Sequence, residues 1–160
     1  MLRVLNEAYN ERKILEEKSS AILAGGIMQH GYQCGMIWGA VLAAGVRAYE
    51  LYGPGPEAET RAVMTAQKLV KEFQSCSGEI NCVEITDIDN SSSALKMLFV
   101  FLIKGKTLSC MRLTGKYSSK AFNTINESLY EKDIEIQSAP VSCASELARK
   151  MGASEKHIVM

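Results

Sequence analysis

The most informative residues of this chain are Cys34-Gly35-Met36-Ile37-Trp38-Gly39, because they open an unusually small and apolar helix with a thiol. It lies in a segment, residues 19–46, that contains no aspartate, glutamate, lysine or arginine. Gly35, Gly39 and Ala43 recur every four residues and therefore share one helix face, where another backbone or a bulky group can approach closely. The sequence predicts a buried helix rich in glycine and alanine, with thiol chemistry at its start.

The uncharged segment must be tested as a membrane span, since roughly 20 mostly apolar residues can cross a bilayer as a helix. Gly25-Gly26 and the turn-forming residues 29–33 divide it into two shorter pieces, which suit a buried pair of helices. The other apolar run, residues 98–103, is shorter and lies between Lys96 and Lys104. We therefore expect no membrane segment.

Length and charge limit the classes of partner. A chain of 160 residues is one ordinary domain that can bury most of its apolar surface without disulfides. Its 18 basic and 18 acidic residues balance, so no long-range field would concentrate nucleic acid or an anionic membrane. The first ten residues mix charged and apolar side chains and lack a signal-peptide core, which predicts a cytoplasmic protein.

Apolar residues recur at helical spacing over most of the remaining chain. The stretches with this spacing are residues 62–73, which follow the helix-start signal Pro56-Glu57-Ala58-Glu59 and predict about four turns, residues 110–129 and residues 141–151. Breaks are expected at residues 53–56, 75–81 and 87–93 and near Gly105. Residues 83–86 and 98–103 could be strands on propensity, but helix is favoured for both. The predicted fold is all-α, a single-domain helical bundle.

Four of the five cysteines share a position at the start of a predicted helix. These are Cys34, Cys82, Cys110 and Cys143, each of which follows a turn, a loop, a glycine or a proline. A helix N-terminus stabilises a thiolate, so we expect lowered thiol pKa values there. The alternative is that these cysteines are buried apolar residues of a non-catalytic helical interaction module.

Common site motifs are absent from the sequence. No two cysteines form a Cys-x-x-Cys pair, which argues against a thioredoxin-type or zinc-ribbon site. No P-loop, nucleophile elbow or zincin histidine pair occurs. His30 and His157 are expected to be exposed or capping residues rather than ligands. We assign no catalytic residue.

The residues around Cys34 resemble a known family. Residues 34–40, with the preceding Gly25-Gly26 and Gly31, look like the central motif of the C_GCAxxG_C_C family, which is named after its cysteines and is considered redox-active. The segment from Phe73 to Glu84 resembles the phenylalanine-to-cysteine segment of that family, and Cys110 resembles its last cysteine. The similarity covers roughly residues 15–130.

Two departures from the family pattern are visible. Met36 stands where the core motif has alanine, and residues 16–20 offer no counterpart of the family's first cysteine. Residues 138–160, which contain Cys143, resemble that missing first helix, as if the order were permuted or the chain cut. We expect this segment to pack near residues 25–39, within the chain or across a swapped homodimer, and to bring Cys143 towards Cys34. Cys76 would then be the spare thiol. The alternative is that the segment is a terminal amphipathic helix that covers the core, with Cys143 as one more apolar residue.

Four convergent thiolates suit an iron–sulfur cluster or zinc and poorly suit magnesium or calcium. The resemblance, which extends to domains associated with cytochrome-type electron carriers, implies a [2Fe–2S] cluster and a redox partner protein. The implied ligands are Cys34, Cys82, Cys110 and Cys143. No Cys-x-x-Cys-His motif is present, so covalent haem is not implied. A metal-free dithiol–disulfide protein is the alternative within redox chemistry.

Overall fold

The computed structural model describes residues 1–103, 105–132 and 134, and the described residues form an all-α bundle. This confirms the predicted fold class, with one isolated antiparallel bridge between Gln33 and Asn81. The elements are α1 (Leu2–Ala8), α2 (Ile14–Ser19), a 3₁₀ turn (Ser20–Leu23), α3 (Gly35–Tyr52), α4 (Pro56–Ser77), α5 (Cys82–Thr86), α6 (Ala94–Leu98), a π-helical turn (Phe99–Ile103) and α7 (Lys106–Leu129). The helix predicted over residues 141–151 lies outside the described residues.

Helix α3 is the central element, and its small residues allow neighbouring backbone to approach closely. Its buried positions are Ile37, Gly39, Ala40, Ala43, Ala44 and Ala48. A Cβ atom added at Gly39 would lie 2.8 Å from the backbone nitrogen of Leu2 and 2.9 Å from the Cβ of Met1. One added at Gly35 would lie 2.7 Å from the carbonyl oxygen of Leu23. The predicted close approach on this face is confirmed, since α1 and the 3₁₀ turn occupy it.

The two longest helices, α4 and α7, pack against each other and against α3. The rings of Phe73 and Tyr117 meet edge to face with centroids 4.9 Å apart, and both residues are fully buried. The hydroxyl of Tyr117 donates a hydrogen bond of 3.1 Å to the carbonyl of Leu69, so the buried phenol is satisfied. Helix α4 runs for 22 residues from a proline in its first turn, which is longer than the predicted four turns.

Polar contacts join the N-terminal half of α4 to the C-terminal end of α7. The hydroxyls of Thr65 on α4 and Ser128 on α7 lie 3.0 Å apart in a fully buried hydrogen bond. Beyond them, Arg61 Nη1 donates to the carbonyls of Leu129 at 2.8 Å and Glu131 at 2.9 Å, and so caps the C-terminus of α7. Because buried polar groups are costly when unpaired, these contacts favour one alignment of α4 and α7.

Part of the predicted secondary structure was wrong. The segment before Gly25-Gly26 does not form the first helix of a buried pair, because Ser20–Leu23 form a short 3₁₀ turn whose Ile22 is 62% exposed. Residues 83–86 lie in α5 and residues 99–103 in the π-helical turn, so helix prevails over strand at both. Along the described ranges, no helix combines the length and hydropathy that crossing a bilayer requires.

A three-cysteine cleft as the candidate functional site

Cys34 and Cys82 occupy the starts of two helices that are joined by backbone hydrogen bonds. Cys34 is the N-cap residue of α3, and Cys82 is the first residue of α5. The amide of Cys34 donates to the carbonyl of Ile80 at 2.8 Å, and the amide of Cys82 donates to Tyr32 at 2.8 Å. This reciprocal pairing explains why two cysteines far apart in the sequence lie in one region of the molecule.

The third thiol comes from α7. Cys110 lies near the N-terminal end of that helix, as the sequence predicted, and lines the same cleft as Cys34 and Cys82. The cleft has a volume of about 1040 Å³. Cys34 is 7% exposed, whereas Cys82 and Cys110 are half-buried. Cys76 sits at the other end of a helix, near the C-terminus of α4, and does not line the cleft.

None of the described residues that line the cleft carries a charged side chain. The lining consists of Met1, Leu2, Ser20, Ala21, Ile22, Ala24, Gly25, Met28, Gln29, Cys34, Gly35, Met36, Gly39, Cys82, Thr86, Ile88 and Cys110. Carboxylates are missing from this set, so the anionic donors that it can offer are soft thiolate sulfur atoms rather than the carboxylate oxygens that magnesium or calcium prefers.

Burial, rather than the helix N-terminus, dominates the pKa values of the three thiols. Loss of water contact raises the pKa of Cys34 to about 11, although the backbone N–H of Met36 opposes this shift. Burial likewise raises the pKa of Cys82 and of Cys110. Each of Cys82 and Cys110 also disfavours a thiolate at Cys34 by charge repulsion. The expectation of lowered pKa values was therefore wrong at these three positions, and the resting thiols are protonated at neutral pH.

One wall of the cleft is a turn with strained backbone. Five consecutive residues, Gly25 to Gln29, have φ between +50° and +71°, and three of them, Ile27, Met28 and Gln29, are not glycine. Left-handed backbone costs roughly 1–2 kcal/mol for each non-glycine residue, so this turn stores about 3–6 kcal/mol. Such strain persists only where the surrounding structure imposes it, and it concentrates at functional sites.

The arrangement of the thiols limits what they can bind. The four cysteines that the structure describes, Cys34, Cys76, Cys82 and Cys110, are free thiols. Within the described ranges, no group of three or more histidine, cysteine, aspartate or glutamate side chains is placed to hold a metal ion. Cys143, the fourth ligand implied by the family resemblance, lies outside the described residues, as does His157. His30 is an exposed turn residue stacked on Tyr32, as expected.

A comparison with protein-family models identifies the family. The model described as "Putative redox-active protein (C_GCAxxG_C_C)" matches residues 1–125. The chain belongs to the C_GCAxxG_C_C family. The match includes the three cysteines of the cleft and ends before residues 138–160, so the similarity of those residues to a first family helix stays a prediction. Comparisons with curated proteins and with solved structures gave no match.

The sequence of this C_GCAxxG_C_C protein predicts three of the cysteines that line the cleft as site residues, but it does not predict most of the other lining residues. Ile22 and Met28 line it while remaining largely exposed, and nothing in their apolar character distinguishes them from core residues. The strained turn was missed as well. Its only sequence signal is Gly25-Gly26, because isoleucine, methionine and glutamine all disfavour left-handed backbone.

Proposed function

We propose that the cleft of Cys34, Cys82 and Cys110 is the redox centre of this C_GCAxxG_C_C protein and that it holds an iron–sulfur cluster for electron transfer. The observation that carries this proposal is the convergence of three thiols, from three separate helices, on one cleft whose described lining residues have no charged side chains. When bound, such a cluster supplies one-electron transfer.

The donor chemistry of the cleft fits this group. Thiolates are the usual ligands of iron–sulfur clusters, and a coordinated thiol is deprotonated outright, so raised pKa values are no obstacle to ligation. In a cluster the thiolate ligands are distributed over two or more iron atoms. A cluster therefore fits better than a single zinc ion, since the described residues hold no compact group of three ligands.

The residues of the cleft would have two roles beyond ligation. The apolar wall of Ala24, Ile88 and Met36 would limit water around the thiolates. The backbone N–H of Met36, which already favours the Cys34 thiolate, would donate to the coordinated sulfur. Hydrogen bonds to sulfur and exclusion of solvent are among the factors that set cluster potentials.

A fourth ligand is required, and Cys143 is our candidate. Its proposed approach to Cys34, within one chain or between two copies, would complete the set of four thiols. Treatment with dibromobimane, which bridges thiols only a few ångströms apart, should link Cys34 to Cys143 in reduced protein. If mass spectrometry finds Cys34 linked only to Cys82 or Cys110, the fourth ligand must come from elsewhere.

Metal-free thiol–disulfide exchange is the second candidate, favoured by the shared cleft of three free thiols. It is weakened by their chemistry, because an efficient attacking thiol has a pKa near the ambient pH. The pKa of Cys34 is about 11. A slow exchange reaction would leave a disulfide between two cleft cysteines after mild oxidation, which peptide mapping detects.

The test is iron and acid-labile sulfide analysis of anaerobically purified, full-length protein, combined with visible absorption. We expect a coloured protein with stoichiometric iron and sulfide, and we expect Cys34→Ser to lose both. Cys76→Ser is the matched control, because it removes a thiol outside the cleft. A colourless protein after cluster reconstitution would overturn the cluster, and equal losses in the two variants would overturn the assignment of the cleft. A colourless protein without thiol chemistry would favour the interaction module.

A further inference from the structure

We propose that the left-handed turn from Gly25 to Gln29 is a gate that opens to admit reactants to Cys34. This inference concerns the control of access to the redox centre and rests on the proposed function of the cleft for its biological meaning. Its physical basis is independent, because it follows from backbone conformation and packing alone.

The turn is placed to control access. Gly25, Met28 and Gln29 line the cleft, and Cys34, with 7% exposure, is the least accessible of its three thiols. Met28 is 68% exposed, so it borders both the cleft and the solvent. Displacement of the turn would widen the cleft directly in front of α3.

Both ends of the turn are anchored to segments that carry the cysteines. Leu23 and Ala24, which lead into the turn, pack closely on Gly35. A Cβ added at Gly35 would lie 2.7 Å from the carbonyl oxygen of Leu23. At its exit, the amide of Val83 donates to the carbonyl of Gly31 at 3.0 Å. A Cβ added at Gly31 would also lie 2.7 Å from the Val83 Cβ.

The turn is held by six backbone hydrogen bonds, all within residues 22–32. Ile27 donates to Leu23 at 3.3 Å, Met28 to Ile22 at 2.8 Å, Gln29 to Ala24 at 3.3 Å, His30 to Ile27 at 3.0 Å, Gly31 to Gly25 at 3.1 Å and Tyr32 to Gly26 at 3.2 Å. These bonds oppose the preference of three non-glycine residues for right-handed backbone. Opening releases the strain while the anchors remain, so the turn can move as a local unit without unfolding the bundle.

A pair of substitutions at Ile27 isolates the contribution of strain. Ile27 does not line the cleft, and both Ile27→Gly and Ile27→Ala remove its side-chain atoms beyond Cβ. Glycine accepts left-handed backbone freely and alanine does not, so the closed gate is favoured in the glycine variant. We expect iodoacetamide to modify Cys34 roughly fivefold more slowly in Ile27→Gly than in Ile27→Ala.

The assay uses folded, metal-free, full-length protein with quantitative peptide mapping, so its result does not depend on whether a cluster binds. Cys76 is the internal reference, and its rate should be the same in both variants. The Cys34 rate should respond only weakly to low urea concentrations, because local opening exposes little surface. Equal Cys34 rates in the two variants would overturn the gate, as would a steep urea dependence equal to that of global unfolding.

A second pair of variants keeps the proposal testable if the Ile27 variants fold poorly. Gln29→Gly and Gln29→Ala make the same comparison at the end of the turn, and we expect the same order of Cys34 rates. An iron-free protein that shows the glycine–alanine difference would retain the gate while the cluster proposal fails. If the protein binds iron but Cys34 is modified at equal rates in the glycine and alanine variants, the cluster proposal is retained and the gate is overturned.

Discussion

Gly39→Ala tests whether backbone contact, rather than composition alone, explains the small residues of α3. The added methyl group would lie 2.8 Å from the Leu2 nitrogen and 2.9 Å from the Met1 Cβ, so α1 must shift. Overpacking of this kind costs about 1–3 kcal/mol. Alanine gains about 1 kcal/mol over glycine inside a helix, so we expect a net change between no loss and a loss of about 2 kcal/mol.

Gly45→Ala is the matched control on the same helix. No atom lies within 4 Å of a Cβ added there, so only the helix-propensity gain of about 1 kcal/mol remains. In urea denaturation, the free energy of unfolding of Gly45→Ala should therefore be higher than that of the parent protein. That of Gly39→Ala should be lower than that of Gly45→Ala by about 1–3 kcal/mol. Equal stabilisation by the two alanines would refute the close-approach argument. Gly39→Leu, which adds a branched side chain, should cost more than Gly39→Ala.

Two further predictions follow from buried groups. Because burial raises the pKa of Cys34 from 9.0 to about 11, its alkylation rate in folded protein should rise until about pH 11, whereas in denatured protein it should level off near pH 9. The same shift means that the stability contributed by the protonated thiol is complete below pH 9 and is lost as the pH rises through 11. If the pH–rate curve of Cys34 alkylation had the same inflection in folded and denatured protein, the burial argument would be contradicted. Thr65→Val should destabilise the fold by about 1–3 kcal/mol, because it leaves the buried Ser128 hydroxyl unpaired. Adding Ser128→Ala should recover part of that loss in chemical denaturation, and a double variant no more stable than the single one would contradict this reading.

The helical architecture could be predicted because local patterns and tertiary packing agree. Proline at the start of α4, glycine before α7 and apolar residues at helical spacing all favour the elements that the structure shows. The close-packed face of α3 was predictable because small residues at spacings of four fall on one side of a helix and leave room there for a neighbouring backbone. Residues 99–103 were ambiguous, since β-branched and aromatic residues in a short run suit strand, buried helix or the observed π-helical turn equally.

The site was only partly predictable, because its remaining properties depend on packing between distant segments. Three cysteines at helix starts are visible in the sequence, but their burial depends on which elements cover them. Cys34 shows the consequence, since desolvation outweighs the stabilising effect of a helix start and reverses the expected pKa shift. The left-handed conformation of Ile27 is likewise imposed by anchors at Gly35 and Val83 rather than by its own preference.

The hydrogen bond between Thr65 and Ser128 fixes the position of α7 along α4 and thereby the position of Cys110, which lies towards the other end of α7. Ser128 and Cys110 share the rigid helix α7 and lie about 27 Å apart along its axis. Slippage of α7 along α4 by one helical turn would separate the hydroxyls and carry Cys110 about 5.4 Å along the axis. The position of Cys110 in the three-cysteine cleft therefore depends on a polar contact that is remote from it.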